Sequence, residues 1–144
     1  MSLCDGAETL MKTMNRRNTF TAIVSGGLHY FVSRVARILK VSTFFSNNVA
    51  TENGVLTGKL IMSIFDGFAK FRAVEYISKA YGFAFENILA VGDGANDLKM
   101  LQAAGLTVAY KGQKVVKMAT NVHIDHSDLT ALLFLQGITE RDFK

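Results

Sequence analysis

Two aspartates four residues apart, Asp93 and Asp97, sit with an amide, Asn96, in the stretch Val91-Gly92-Asp93-Gly94-Ala95-Asn96-Asp97. An apolar run, Ile88-Leu89-Ala90-Val91, leads into it, and a helical stretch from Asp97 to Ala104 follows. The carboxylates therefore fall where a buried strand hands over to a helix, and the glycines let the backbone turn sharply there. Free amides at a helix start favour an anion. Paired carboxylates favour a hard cation such as Mg²⁺, which needs only one or two of them beside a phosphate. A turn offering both suits a metal-bound phosphate; the plainer reading is a glycine turn with Asp and Asn as helix caps. On the functional reading one aspartate ligates the metal and the other holds a metal-bound water or a neighbouring cation. Asn96 adds a neutral donor to the same pocket. Lys70, near the start of another helical stretch, could bring a positive charge, although a lysine so placed is ordinarily a solvated surface residue.

A second candidate is Ser25-Gly26-Gly27, which follows the apolar run Phe20 to Val24. Read as a turn opening a helix, it offers the Ser25 hydroxyl and the amides of Gly26 and Gly27 to phosphate oxygens; alternatively Ser25 is only an N-cap. No His–Asp pair is placed to make Ser25 a nucleophile, which excludes a serine hydrolase. His29, His123 and His126 read as structural or surface residues, because a zinc site around Asp125 would need ligands the sequence does not supply.

The elements that must position these residues follow from periodicity. Residues 5 to 17 predict a helix with Ala7, Leu10, Met11 and Met14 on one face and Asp5 as N-cap. Phe20 to Val24 predicts a buried strand. A second helix runs to about Lys40, with Leu28, Phe31, Val32, Val35, Ile38 and Leu39 expected to face the core. A strand falls within Val41 to Val49, and Asn53-Gly54 predicts a hairpin over about Asn48 to Ile61. Phe68 to Tyr81 reads as a helix closed by Gly82, with Phe71, Val74, Ile77 and Tyr81 as its apolar stripe. Beyond the central turn come strands at Leu106 to Ala109 and Val122 to Ile124, and helices at Lys114 to Ala119 and Asp128 to Leu135. Short apolar strands alternating with helices predict an α/β fold with a mainly parallel sheet covered on both faces. In such sheets ligands bind at the carboxyl ends of the strands. Both glycine turns are therefore expected on one edge of the sheet.

The chain of 144 residues predicts a single domain, 1–144. Its net charge of +4 comes without a dense basic run interleaved with aromatics, which argues against nucleic-acid binding and suits an anionic small substrate. No apolar run approaches the roughly 20 residues a membrane span needs. The single cysteine, Cys4, forbids an internal disulfide and fits a reducing, cytoplasmic setting.

Ser25-Gly26-Gly27, then Asn53-Gly54-Val55-Leu56-Thr57-Gly58, then Lys70, then Val91 to Asp97 occur in the order seen in phosphoserine phosphatases, and the chain resembles that family of the haloacid dehalogenase (HAD) superfamily. Lys70 precedes Asp93 by 23 residues, similar to the family's lysine motif. The resemblance implies a HAD-type three-layer αβα core and Mg²⁺-dependent hydrolysis of a small phosphomonoester. O-phospho-L-serine, as used in serine biosynthesis, is the expected substrate, and an aspartyl-phosphate the expected intermediate. It also implies roles. Ser25, the Gly26 amide, Lys70 and Asn96 would bind phosphate. Lys70 and Asp97 would serve catalysis. Asp93 would ligate Mg²⁺ directly, and Asp97 would orient metal water or the lysine.

Two parts of the family pattern are missing. No Asp-x-Asp occurs in the chain, whereas the family's Asp-x-Asp-x-Thr strand supplies the nucleophile, and no helical cap precedes the core. The lysine-proline of a later family loop reads Gln113-Lys114. The chain alone is therefore expected to be inactive, with the nucleophile outside it. Removing that strand, central in the HAD sheet, leaves unpaired backbone. The strands ending at Val24 and Val91 are expected either to pair with each other or to take a segment from another chain, giving a homo-oligomer or strand exchange. The rival readings are a HAD phosphatase for another phosphomonoester, or a catalytically silent phosphate-binding or interaction module.

Overall fold

The computed structural model describes residues 2–62 and 67–144. The chain divides into two compact units, residues 1–62 with 127–144, and residues 63–126.

In the first unit, α1 (Ala7–Arg16) is followed by β1 (Ala22–Leu28), α2 (His29–Leu39), β2 (Thr43–Glu52) and β3 (Val55–Met62); α6 (Ala131–Phe134) closes the chain with a 3-10 turn at Glu140–Asp142. β1 runs parallel to β2, and β2 runs antiparallel to β3. The hairpin turns at Asn53 and Gly54, whose φ values of 51° and 79° are the two left-handed residues of a type I′ turn. The cap of α1 differs from expectation. Gly6, not Asp5, is the N-cap, at φ 78°. A Cβ on Gly6 would lie 2.8 Å from the Asp128 carboxylate, and the Asp5 carbonyl instead accepts the Leu129 amide. A small core of Met14, Leu133 and Ile138 packs with Leu10 and Phe143. The buried Thr13 accepts the Lys144 amide through its hydroxyl at 3.0 Å.

Two readings of this unit need correction. Ser25-Gly26-Gly27 is not a turn opening α2; it lies inside β1. Pairing passes from Val24–Phe45 to Leu28–Asn47, so four steps of β1 span two of β2, and a bulge absorbs the excess. The apolar side of α2 is also more open than its spacing predicts. Val32 and Ala36 are buried, but Phe31 and Ile38 are exposed; Leu28, expected on this helix, is instead the exposed last residue of β1.

The second unit holds α3 (Gly67–Tyr81), β4 (Leu89–Gly92), α4 (Leu98–Ala103), β5 (Leu106–Tyr110), α5 (Lys114–Lys117) and β6 (Val122–Ile124), with 3-10 turns at Phe85–Asn87 and Ala95–Asp97. Its three strands are all parallel in the order β4-β5-β6. Val74, Ala90, Met100, Leu101, Ala109 and Val116 form the core. The buried face of α3 is Ala69, Lys70, Ala73, Val74 and Ile77. Tyr81, expected in the stripe, is exposed, since it falls on the last residue of the helix. Gly105 ends the α4–β5 connection where a Cβ would meet the Glu86 carbonyl at 2.1 Å. Among the described residues β1 ends the strand order of the first unit's sheet and β4 that of the second unit's sheet.

Candidate active site

Lys70 occupies a core position of α3, aligned at helical spacing with Ala73, Val74 and Ile77. Its methylene stem extends that stripe, and its ammonium must find an anion. The partner is Asp97, 27 residues away, whose Oδ1 lies 2.6 Å from Nζ. Both side chains are nearly enclosed, at 11% and 4% exposure. An ion pair this buried holds only if its remaining hydrogen-bonding capacity is met.

The β4–α4 turn meets it. The second Asp97 oxygen accepts the amides of Asp93 at 3.0 Å and Gly94 at 3.1 Å. One carboxylate thus fixes both a lysine from α3 and the backbone that carries Asp93. Gly92 is required by this packing, for a Cβ there would sit 2.6 Å from the Asp97 Cβ. Burial pushes the Asp97 carboxyl upward, but the Lys70 hydrogen bond, the two amides and the lysine charge together hold it below the ordinary value.

Asp93 and Asn96 are exposed on the same turn. Among the described residues no cluster of three or more His, Cys, Asp or Glu side chains forms. The fit to Mg²⁺ is that of one solvent-facing carboxylate held on a rigid backbone. This suffices for a cation that keeps several waters and takes further oxygens from a phosphate. Lys70, Asp93, Asn96 and Asp97 are therefore brought together within the second unit.

Ser25 and Gly26 belong to the first unit, where their local geometry is defined. The Ser25 hydroxyl accepts the Gly27 amide at 3.0 Å, which leaves its own proton free to donate. The Gly26 carbonyl accepts Asn47 Nδ2 at 2.6 Å. Asn47, fully buried in β2, thus shapes the glycine bulge. β2 carries Ser46, Asn47 and Asn48 in succession, so nothing in the sequence singled out Asn47 for this contact. The histidines take local roles. His29 Nδ1 lies 3.2 Å from the Ser46 hydroxyl. His123 Nε2 donates to the Lys117 carbonyl at 2.7 Å. Asp125 pairs with Lys117 at 2.6 Å, and this hydrogen bond is the main reason its carboxyl lies below the usual value.

The haloacid dehalogenase-like hydrolase family profile matches residues 1–105, well over half of the chain. The chain belongs to the haloacid dehalogenase-like hydrolases. Within this family it is 35% identical over 141 residues to a phosphoserine phosphatase of Lactococcus lactis, covering 97% of this chain and 65% of the relative. It is 37% identical over 132 residues to a phosphoserine phosphatase of Archaeoglobus fulgidus, covering 92% of this chain and 38% of that protein. A solved phosphoserine phosphatase, held as a phospho-aspartyl intermediate analogue, superposes with a TM-score of 0.85 at 32% identity, covering 96% of this chain and 65% of that one. The chain thus spans about a third to two thirds of the length of these relatives. No helix among the described residues is long and apolar enough to cross a membrane.

Proposed function

We propose that this HAD chain supplies the phosphate- and metal-binding part of a Mg²⁺-dependent phosphomonoesterase acting on O-phospho-L-serine, as a C-terminal portion of a catalytic core. The observation that carries the reading is the buried Lys70–Asp97 pair tied to the Asp93 turn. Three features of a phosphoryl-transfer site arise from that one arrangement. Asp97 uses one oxygen to hold Lys70, so the lysine's remaining N–H groups can face phosphoryl oxygens from a fixed position. Its other oxygen rigidifies the turn, so Asp93 presents its carboxylate without reorganising. Asn96, exposed on the same turn, adds a neutral donor. Fixed donors and a fixed cation aimed at developing negative charge account for most of the rate in such sites.

Bound Mg²⁺ would supply charge neutralisation for the transferring phosphoryl group, with Asp93 as its ligand from this chain. The attacking carboxylate of the family mechanism, which forms the aspartyl-phosphate, has no candidate here because the sequence holds no Asp-x-Asp. The chain's own residues bind and orient; they do not complete the displacement.

Two measurements on the purified chain test this. Phosphate release from O-phospho-L-serine with Mg²⁺ is expected to stay at background. Titration of O-phospho-L-serine and Mg²⁺ into isotopically labelled protein is expected to shift the backbone resonances of Lys70 and residues 92–97. Mg²⁺-dependent turnover by this chain, or resonances in that set that do not move, would overturn the proposal.

A further inference from the structure

Asp97 secures the amide side of Asp93. Its carbonyl side is secured from a different element, the connection between β5 and α5. The Gln113 amide donates to the Asp93 carbonyl at 2.9 Å. That connection has an uncommon shape. Lys111 adopts φ 47°, in the left-handed region where a non-glycine residue is disfavoured. The Lys111 amide is in turn bound by the Ile124 carbonyl of β6 at 2.8 Å. Gly112 lies against the turn, where a Cβ would be 3.2 Å from the Ala109 side chain and 3.6 Å from Asp93 Cα and O. The side chains of Lys111 and Gln113 are exposed, so they take little part in the core; what the connection contributes is its backbone.

We propose that Gln113 is a positioning residue: its backbone amide, aimed by the left-handed Lys111, clamps the Asp93 carbonyl and fixes the direction of the Asp93 carboxylate. The peptide that joins Asp93 to Gly94 is then held on both sides, its N–H by Asp97 from within the turn and its carbonyl by Gln113 from the β5–α5 connection. The purpose of the clamp rests on the phosphatase reading above; its existence does not.

Gln113 has φ −63° and ψ 155°, which proline accepts without strain. Gln113→Pro therefore removes one N–H while preserving the Gln113 carbonyl that accepts from Val116 and Lys117. Gln113→Ala keeps the N–H and is its control. Lys111→Val disfavours the left-handed conformation, and Lys111→Asn, which tolerates it, is the rescue. The first readout is amide hydrogen exchange of the unaltered chain, in which the Gln113 amide is expected to be protected. The second is the backbone resonances of Asp93 and Gly94, expected to move in Gln113→Pro and Lys111→Val and to stay in place in Gln113→Ala and Lys111→Asn. The third is the Mg²⁺ concentration that half-shifts those resonances, expected to rise roughly two- to tenfold in the first pair, the worth of one hydrogen bond.

An unprotected Gln113 amide, or Asp93 resonances identical in Gln113→Pro and Gln113→Ala, would overturn the clamp, and the exchange result decides even if Gln113→Pro fails to fold. Protection and moved resonances together with no Mg²⁺ response in the unaltered chain would support the clamp while removing the metal reading.

Discussion

Cutting the Lys70–Asp97 pair from either side should give unequal losses. In Asp97→Asn the Lys70 ammonium stays in the α3 stripe with no anion, and the amide nitrogen that replaces one oxygen faces a donor. Stranding a buried charge in this way costs about 3–5 kcal/mol. Lys70→Met keeps the stem's packing and leaves Asp97 with the amides of Asp93 and Gly94. Its loss should be about 1–3 kcal/mol, that of one charge-assisted hydrogen bond. The pair's position in a single network means that the double variant should lose less than the sum.

The assay is urea unfolding at neutral pH followed by tyrosine fluorescence, since Tyr76, Tyr81 and Tyr110 all lie in residues 63–126. The pH dependence supplies a second check. Asp97 is held below the ordinary carboxylate value, by the Lys70 hydrogen bond and the two turn amides acting against burial. Its contribution is thus fully present above that ordinary value and is lost as pH falls through the lower, folded one. The gap between the unaltered chain and Lys70→Met should therefore close on acidification. Equal losses for the two single variants, strict additivity, or a gap that widens in acid would refute the reasoning.

Gly92→Ala would drive a methyl to 2.6 Å from the Asp97 Cβ; overpacking of this kind costs about 1–3 kcal/mol, measured by thermal unfolding, and should also lower protection of the Asp93 amide. Gly54→Ala meets open space at φ 79°, so its loss should be the backbone cost alone, about 1–2 kcal/mol, with exchange rates raised in β2 and β3 and unchanged in β4 to β6. Calorimetry with Mg²⁺ should show weak binding, because Asp93 is the one solvent-facing carboxylate of the turn; tight stoichiometric binding would mean that a further ligand had been overlooked.

Much of the fold was legible from local pattern. Asn53-Gly54 set the hairpin because both residues tolerate the left-handed conformation a two-residue turn demands. The short apolar runs before Gly92 and Tyr110 marked β4 and β5; in β5 three successive residues, Thr107, Val108 and Ala109, are buried, as in a strand covered on both faces. The site was legible only as a set of residue types. Asp93, Asn96 and Asp97 are neighbours in sequence, so their shared turn could be read from spacing. Lys70 could not be assigned in the same way, since a lysine near a helix start is usually solvated.

The tertiary structure decided the rest. It buried Lys70 and chose Asp97 as its partner across 27 residues. It drew Ser25-Gly26-Gly27 into β1, because pairing with β2 and the Asn47 amide outweighed the turn-forming preference of two glycines. It exposed Phe31 and Ile38 despite their helical spacing. It also brought the Gln113 amide to Asp93, a contact with no side-chain signature. The division has a physical basis. Conformational preferences and turns act within a few residues and are carried by residue type. Hydrogen bonds and ion pairs between distant elements depend on which backbones approach closely enough to exclude water, and that is fixed only when the core packs.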